Sequence, residues 1–261
     1  MHFVVLLKPV PETTGDEHFR PDFTVDRDAG ATVINPNDEY ALEAALRMAE
    51  ARGGDNEVTL LTMAPPSAID AVRKGLSMGA SRGILLSDPT LEGSGALLTA
   101  RVLAAALATL EYDLVLAGAD SSDGRCGVVG AAVATLLSIP YLSNAATVGL
   151  ADGKVQVHRA SPGGSRLLEA SLPALVVVTQ TVGEPRYPTL RGIMTARSKE
   201  IAVFSLADIG LSSHQASAAA ASTRVLGIRA LSARPEPRVI VDRPHEAAAA
   251  IVDFLTERGT I

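Results

Sequence analysis

With 261 residues, 47% of them apolar and 20% charged, the chain has ordinary globular composition and can bury a large core, alone or with an appendage. A formal charge of −6 argues against nucleic acid as the main partner, and the single cysteine, Cys126, excludes an internal disulfide framework and suits a reducing compartment. No apolar run approaches the ~20 residues of a membrane span, and the first residues lack a signal peptide's basic region and cleavage site, so a soluble, cytoplasmic protein without membrane insertion is expected.

Residues Phe3 to Leu7 read as a buried strand, followed by Lys8, Pro9 and a long polar connection to Thr32. A helix should start at Asn35 as cap, with Pro36 at its first position, Asp38 and Glu39 in its first turn, and Gly53 and Gly54 as its stop. Val58 to Met63 is a second strand, and Ser67 should cap a helix running through Met78. Gly83 to Leu86 is a third strand, Gly95 to Leu110 a long helix, and Tyr112 to Ala117 a fourth strand. Apolar strands alternating with helices predict a doubly wound, mostly parallel α/β sheet.

The fourth strand leads into a glycine-rich turn, residues 118–128, and then a helix. That order suits a phosphate site, because free amides and the helix dipole both favour an anion; it equally suits a tight strand-to-helix connection. Gly124 and Gly127 permit close backbone approach, and Asp120, Ser121, Ser122 and Asp123 can form turns or cap the helix. Open α/β sheets bind ligands beyond the carboxyl ends of their strands. The turns near Lys8, Asn35 to Asp38, Met63 and Gly118 to Val129 should therefore gather around one crevice.

After Pro140 the pattern changes to strands at Ala145–Leu150, Val155–Arg159 and Leu167–Leu172, joined by Asp152-Gly153 and Gly163-Gly164 turns. These predict an antiparallel edge leading into a buried strand at Leu175 to Val178. The loop beyond is stiffened by Pro185 and Pro188 and carries Arg186, Arg191, Arg197 and Lys199 against one acid, Glu184. By composition it serves as an ordinary crossover or as a partner surface offering Tyr187, Leu190, Ile193 and Met194. Ile201 to Leu206 is a short strand, 212–222 a linker or poorly anchored helix, 234–239 an extended segment, and Pro244 to Arg258 a helix with Ile251, Val252, Phe254 and Leu255 as its stripe.

EPRYPTLRGIMTARSK, residues 184–199, resembles the signature of electron transfer flavoprotein β subunits, close to N-E-P-R-Y-x-x-L-x-x-I-M-x-A-x-x-K. Every specified position after the first agrees; Gly183 stands where the family usually has Asn. NPNDEYALEAALRM and LSMGASRGILL resemble two further family segments, and DLVLAG followed by Asp123 and Gly130 resembles its nucleotide loop. The resemblance implies a nucleotide-binding domain over residues 1–205, including a recognition loop at 182–199 with Leu190 at its tip, and over 206–261 a linker and C-terminal arm packing on the partner subunit. It implies a structural AMP held by Leu6, Asn35, Pro36, Asn37, Asp38, Met63, Gly118, Asp120, Asp123, Gly124, Arg125, Cys126, Gly127, Val128 and Val129. Family members often have polar residues at 127–129, so phosphate contacts would come mainly from backbone, with Arg125 either neutralising the phosphate or crowding it.

The implied partners are an α subunit that holds FAD, acyl-CoA or related flavin dehydrogenases, and an acceptor of the flavoprotein–quinone oxidoreductase type. Docking would use Glu184, Arg186, Tyr187, Leu190, Arg191, Ile193 and Met194. A bifurcating relative with a second FAD, and a self-contained ATP-binding or hydrolysing protein, are the alternatives. Catalytic motifs are missing: the five histidines are scattered without ligand spacing, and no Ser stands in a G-x-S-x-G elbow. Cys126 reads as a small buried residue, and Asp123 as a cap or turn former. An electron carrier subunit without substrate chemistry is expected.

Overall fold

A computed structural model describes residues 1–12, 18–28, 30–217, 223–229 and 243–260. Its strands are β1 (His2–Leu6), β2 (Pro9–Pro11), β3 (Thr32–Ile34), β4 (Glu57–Met63), β5 (Arg82–Leu86), β6 (Leu114–Gly118), β7 (Tyr141–Ala151), β8 (Lys154–Ser161), β9 (Gly164–Ser171), β10 (Ala174–Val178) and β11 (Ile201–Phe204). The helices are α1 (Pro36–Arg52), α2 (Ile69–Met78), α3 (Ala96–Leu107), α4 (Val129–Leu137), α5 (Leu190–Ala196) and α6 (Pro244–Glu257).

One sheet runs in the order β11-β5-β4-β1-β6-β10-β7-β8-β9. It is parallel from β11 to β7 and antiparallel from β7 to β9. The central strands β1, β4, β5, β6 and β10 are buried almost without alternation because both of their faces are covered, whereas β8 and β9 alternate or stand largely exposed. Phe3 and Val5 of β1 point into the core formed with α1 and α2, whereas Val4 and Leu6 point into the core formed with α3 and α4. Asp152 and Gly153 take φ of 52° and 73°, the left-handed pair that a two-residue hairpin between β7 and β8 requires. This is the doubly wound α/β fold with an antiparallel edge.

Several local expectations change. Ser67 does not cap α2: it lies in a short 3-10 turn, Pro66–Ala68, and Ala68 precedes α2. Asn35 does stand at the start of α1, yet its side chain caps nothing there. The polar connection after β1 contains a ladder, β2 against β3, too short to be read from periodicity. Leu190 is the first residue of α5, not the tip of an irregular loop, and Thr189 caps that helix by accepting from the Gly192 amide at 3.0 Å.

Contacts divide the chain into two units, Met1–Leu226 and Gly227–Ile261. Leu206, Ile209 and Ala216 are buried, so the first unit's core extends past residue 205. The second unit contains α6, where Ile251 and Val252 are exposed and the Arg258 guanidinium lies 5.0 Å from the Phe254 ring centroid. Residues 218–222 and the extended segment expected at 234–239 lie outside the described residues. Among the described residues no helix is long and apolar enough to cross a membrane.

Candidate functional site

The chain turns outward in both directions from β1: β4 and β5 lie on one side of it, β6 and β10 on the other. Strand order therefore reverses between β1 and β6, and open sheets bind ligands beyond the carboxyl ends at such a point. There the end of β1 at Lys8, the start of α1 and the turn after β6 converge.

Asp38 fastens the three together. Its side chain is buried and accepts from the amides of Lys8 at 2.8 Å and Gly118 at 3.2 Å. Burial pushes its pKa up to about 7, and the amide bonds only partly offset that rise. Asn35 ties the same junction from the other side. Its amide group donates to the Asp120 carbonyl at 2.8 Å, and its Oδ1 accepts from the Ser122 amide at 3.1 Å. Asn37 also donates to the Asp120 carbonyl, at 3.3 Å. The close approach belongs to Gly118 rather than Gly124, since a Cβ at 118 would lie 2.5 Å from the Asn37 carbonyl carbon. Gly127 is needed for its φ of 65°.

Asp123 neither caps α4 nor merely turns the chain. Its side chain is 3% exposed and pairs with Lys8 Nζ at 2.6 Å and Arg27 Nη2 at 2.6 Å. Burial alone would raise its pKa; the two cations and their hydrogen bonds instead hold it down at about 2. Lys8, partly exposed, titrates below the usual lysine range because the surrounding protein desolvates its ammonium, with Asp123 restoring part of the loss. Neither Lys8 nor Arg27 stands among the expected nucleotide ligands. They lie far from Asp123 in sequence, and only the fold brings them to it.

The remaining expected residues differ in their exposure. Leu6 is a core side chain, Met63 ends β4 partly buried, and Pro36 is exposed. Cys126 is exposed, contrary to its reading as a buried residue, because the turn carries residues 124–128 outward. Arg125 has φ of 46° and donates from Nε to the Ser122 carbonyl at 3.0 Å. Val128 precedes α4, so none of the polar residues 120–123 caps that helix.

A phosphate-sized anion fits what is present. The first amides of α4 have no side-chain cap, Lys8 and Arg27 bring two cations to the turn, both paired with Asp123, and the Ser122 hydroxyl is buried without a hydrogen-bond partner. Among the described residues no group of three or more acidic, His or Cys side chains could hold a metal ion.

A second feature lies across the same helical layer. From β10 the chain must cross to β11 at the far edge, passing α1 and then α2. Over α1, Arg47 donates to the Glu184 carbonyl at 3.0 Å, and Arg186 donates to Glu43 and Glu50. Arg186 thus points inward, with its pKa raised by those two carboxylates. Over α2, Gly192 lets α5 pack so closely that a Cβ would lie 2.3 Å from the Ser77 carbonyl oxygen. Arg73 Nη1 reaches the Ala196 carbonyl at 2.7 Å, and Lys199 Nζ donates to the Leu76 and Ala80 carbonyls at 3.0 and 2.6 Å, a cation at a helix C-terminus. While these residues hold the strap down, Tyr187, Leu190 and Met194 are 93%, 76% and 66% exposed, with Arg191 and Ile193 also exposed beside them.

Comparison with known proteins agrees with this anatomy. The family described as "Electron transfer flavoprotein domain" matches residues 22–209. The chain is 38% identical to "Electron transfer flavoprotein subunit beta" of Mycobacterium tuberculosis, covering 100% of this chain and 99% of that one. It is 36% identical to "Protein FixA" of Azorhizobium caulinodans, covering 95% and 91%. It is 33% identical to "Caffeyl-CoA reductase-Etf complex subunit CarD" of Acetobacterium woodii, covering 100% of each. A mostly parallel sheet whose turns converge at the switch point, a strap bearing the family signature, and full-length similarity agree: the chain belongs to the electron transfer flavoprotein family, among its β subunits.

Proposed function

We propose that this chain is the nucleotide-holding and partner-docking half of a heterodimer, completed by an electron transfer flavoprotein α subunit. FAD, held mainly by that α subunit, supplies the redox chemistry. This chain's residues do three other things. Asp38 and Asn35 fix the crevice wall. Lys8, Arg27, the Ser122 hydroxyl and the first amides of α4 hold the phosphate of an AMP. The strap presents Tyr187, Leu190, Ile193 and Met194 to acyl-CoA or related flavin dehydrogenases, with Glu184 and Arg191 at its rim. Electrons would pass from the docked dehydrogenase to the FAD of this cytoplasmic heterodimer, and from it to a quinone reductase.

The observation that carries the docking half is an apolar cluster standing exposed on a strap whose anchoring polar residues point inward. Large apolar side chains held outward on a rigid support are what a partner's pocket takes as anchors. Leu190→Ala in the purified heterodimer should weaken dehydrogenase-dependent flavin reduction about 30-fold in affinity, the usual effect of losing a hot spot worth ~2 kcal/mol, with the flavin spectrum unaltered. Unchanged transfer from every candidate dehydrogenase would refute the docking role.

AMP is favoured over a second FAD by the turn itself. In the bifurcating branch of the resembled family this turn usually reads close to D-G-x-T-x-Q-V-G-P; Cys126 and Val128 stand at its Thr and Gln positions, and both are exposed. Without that hydroxyl and amide, this wall offers a monophosphate backbone donors but leaves a flavin pyrophosphate poorly held.

A further inference from the structure

We infer that Glu43 is the positioning residue of the docking strap, a buried carboxylate on α1 that decides where Leu190 is presented, and that Gly183, in a backbone conformation that favours glycine, leaves the Arg47 guanidinium room in the same network. The inference rests on the strap's proposed docking role and names what sets it.

The strap has little else to fix it at this point. From Gly183 through Thr189 no side chain is fully buried, so core packing does little to locate the segment that leads into Leu190. Its position over α1 is therefore set by polar bonds, and these converge on Glu43, whose side chain is only 4% exposed. Oε2 of Glu43 accepts from the Arg186 amide at 3.1 Å and from Arg186 Nε at 2.7 Å. Oε1 accepts from Arg47 Nε at 2.6 Å and from Arg186 Nη2 at 3.2 Å. One carboxylate thus holds a backbone amide, the side chain of the same residue, and the arginine one turn along its own helix. Glu50 takes the outer face of the Arg186 fork, with Nη2 at 2.9 Å.

Arg47 completes the clasp by donating Nη2 to the Glu184 carbonyl at 3.0 Å. The carbonyl of Glu184 and the amide of Arg186 are both fixed, with Pro185 between them, and Pro188 stiffens the remaining path to Leu190. Gly183 has φ of 130°, and a Cβ there would lie 2.2 Å from Arg47 Nη1, so the absent side chain is the space the guanidinium occupies. Two carboxylates face two guanidiniums, so the clasp is neutral as a unit. Burial pulls Glu43 towards protonation, and the two arginines and the Arg186 amide outweigh it, keeping its pKa below the usual range. The carboxylate therefore stays ionised wherever the molecule operates. A buried carboxylate with this many donors is costly to disturb, because removing its charge leaves donors facing donors.

The test uses Glu43→Gln in the chain purified with its α subunit. The probe is an acyl-CoA dehydrogenase reduced by its acyl-CoA, with the heterodimer as the varied substrate. Gln keeps the volume but turns an amide NH2 towards the guanidiniums. Hydrogen exchange of the Arg186 amide should accelerate at least tenfold. The KM for the heterodimer should rise about tenfold at near-constant kcat, the cost of ordering a freed segment on binding. In a Leu190→Ala background the same substitution should add nothing to KM, because both act through one anchor. Arg186→Lys, which keeps the charge but loses the fork, should act in the same direction and serves if the Gln variant folds poorly. Wild-type exchange at Arg186 and wild-type KM in Glu43→Gln, in a system where Leu190→Ala does raise KM, overturns the inference. A Leu190→Ala variant with normal KM refutes the docking reading instead, and the exchange rate at Arg186 still decides whether Glu43 fixes the strap.

Discussion

Asp38 and Asp123 border the same crevice, and their surroundings drive them in opposite directions. Asp38 is buried, and although two amides oppose the rise, its folded pKa of about 7 lies above the ordinary 3.8. An acid with a raised folded pKa stabilises most below its unfolded value and loses that contribution as pH rises through the folded one. Stability of the wild type relative to Asp38→Asn should therefore fall as pH rises from ~4 to ~7, by at most ~1.4 kcal/mol per unit, and level off above. Urea denaturation at several pH values measures it; a difference that is flat or rises over that window contradicts the assignment. Asp123 is the reverse case, with a folded pKa of about 2. Its contribution is full above ~4 and is lost as pH falls towards 2. Asp123→Asn should cost ~1–2 kcal/mol at neutral pH, discounted because Lys8 and Arg27 are each more than a third exposed. It should also flatten the acid limb of the stability profile. Little of this is legible in the sequence. Asp38 and Asp123 stand out as candidates by their places in a helix start and a glycine turn, and the alternation of strands and helices brings the turn at Lys8 near them. Nothing in the chain order shows that Lys8 pairs with Asp123 or that Arg27 folds back onto it.

At the scale of elements, legibility depends on length and burial. β1, β4, β6 and β10 are plain because continuous apolar runs suit strands covered on both faces. α1 is bounded by Asn35, Pro36 and Gly53, although the Asn35 side chain bonds the neighbouring turn rather than the helix. β2, β3 and α5 escape because three or seven residues carry no period. α5 also shows that the segment packs at specified and unspecified positions of the signature alike: Ala196 is buried and Lys199 bonds the end of α2, while Gly192 stands at an unspecified one. Gly192→Ala would press a Cβ into the Ser77 carbonyl, so α5 must lift from α2. We expect a loss of ~1–3 kcal/mol in urea unfolding, as for other over-packed sites, together with weaker dehydrogenase coupling. A fully stable Gly192→Ala variant would show that α5 yields without cost. Similarly, Gly183→Asn, the residue usual at this position in the resembled signature, should expel Arg47 and speed exchange at Arg186. Unchanged exchange there would separate Gly183 from the clasp.

For the whole molecule, the sheet order explains how one chain of modest size carries two functional regions. The reversal of order at β1 opens the crevice, and the long crossing from β10 to β11 produces the strap; α1 borders the first with its N-terminus and the second with Glu43, Arg47 and Glu50. The family to which the chain belongs is one of carriers rather than catalysts, so each region is read for what it holds and what it meets. On our proposal the crevice holds a nucleotide for structure, while the chemistry sits on a flavin shared with another subunit. The direct measurement is to denature the purified heterodimer and quantify every released nucleotide. One FAD and one AMP per heterodimer is the expected result. Two FAD would contradict it by placing a second flavin in the crevice, and one FAD without adenylate would show that the Lys8–Asp123–Arg27 cluster holds no nucleotide at all.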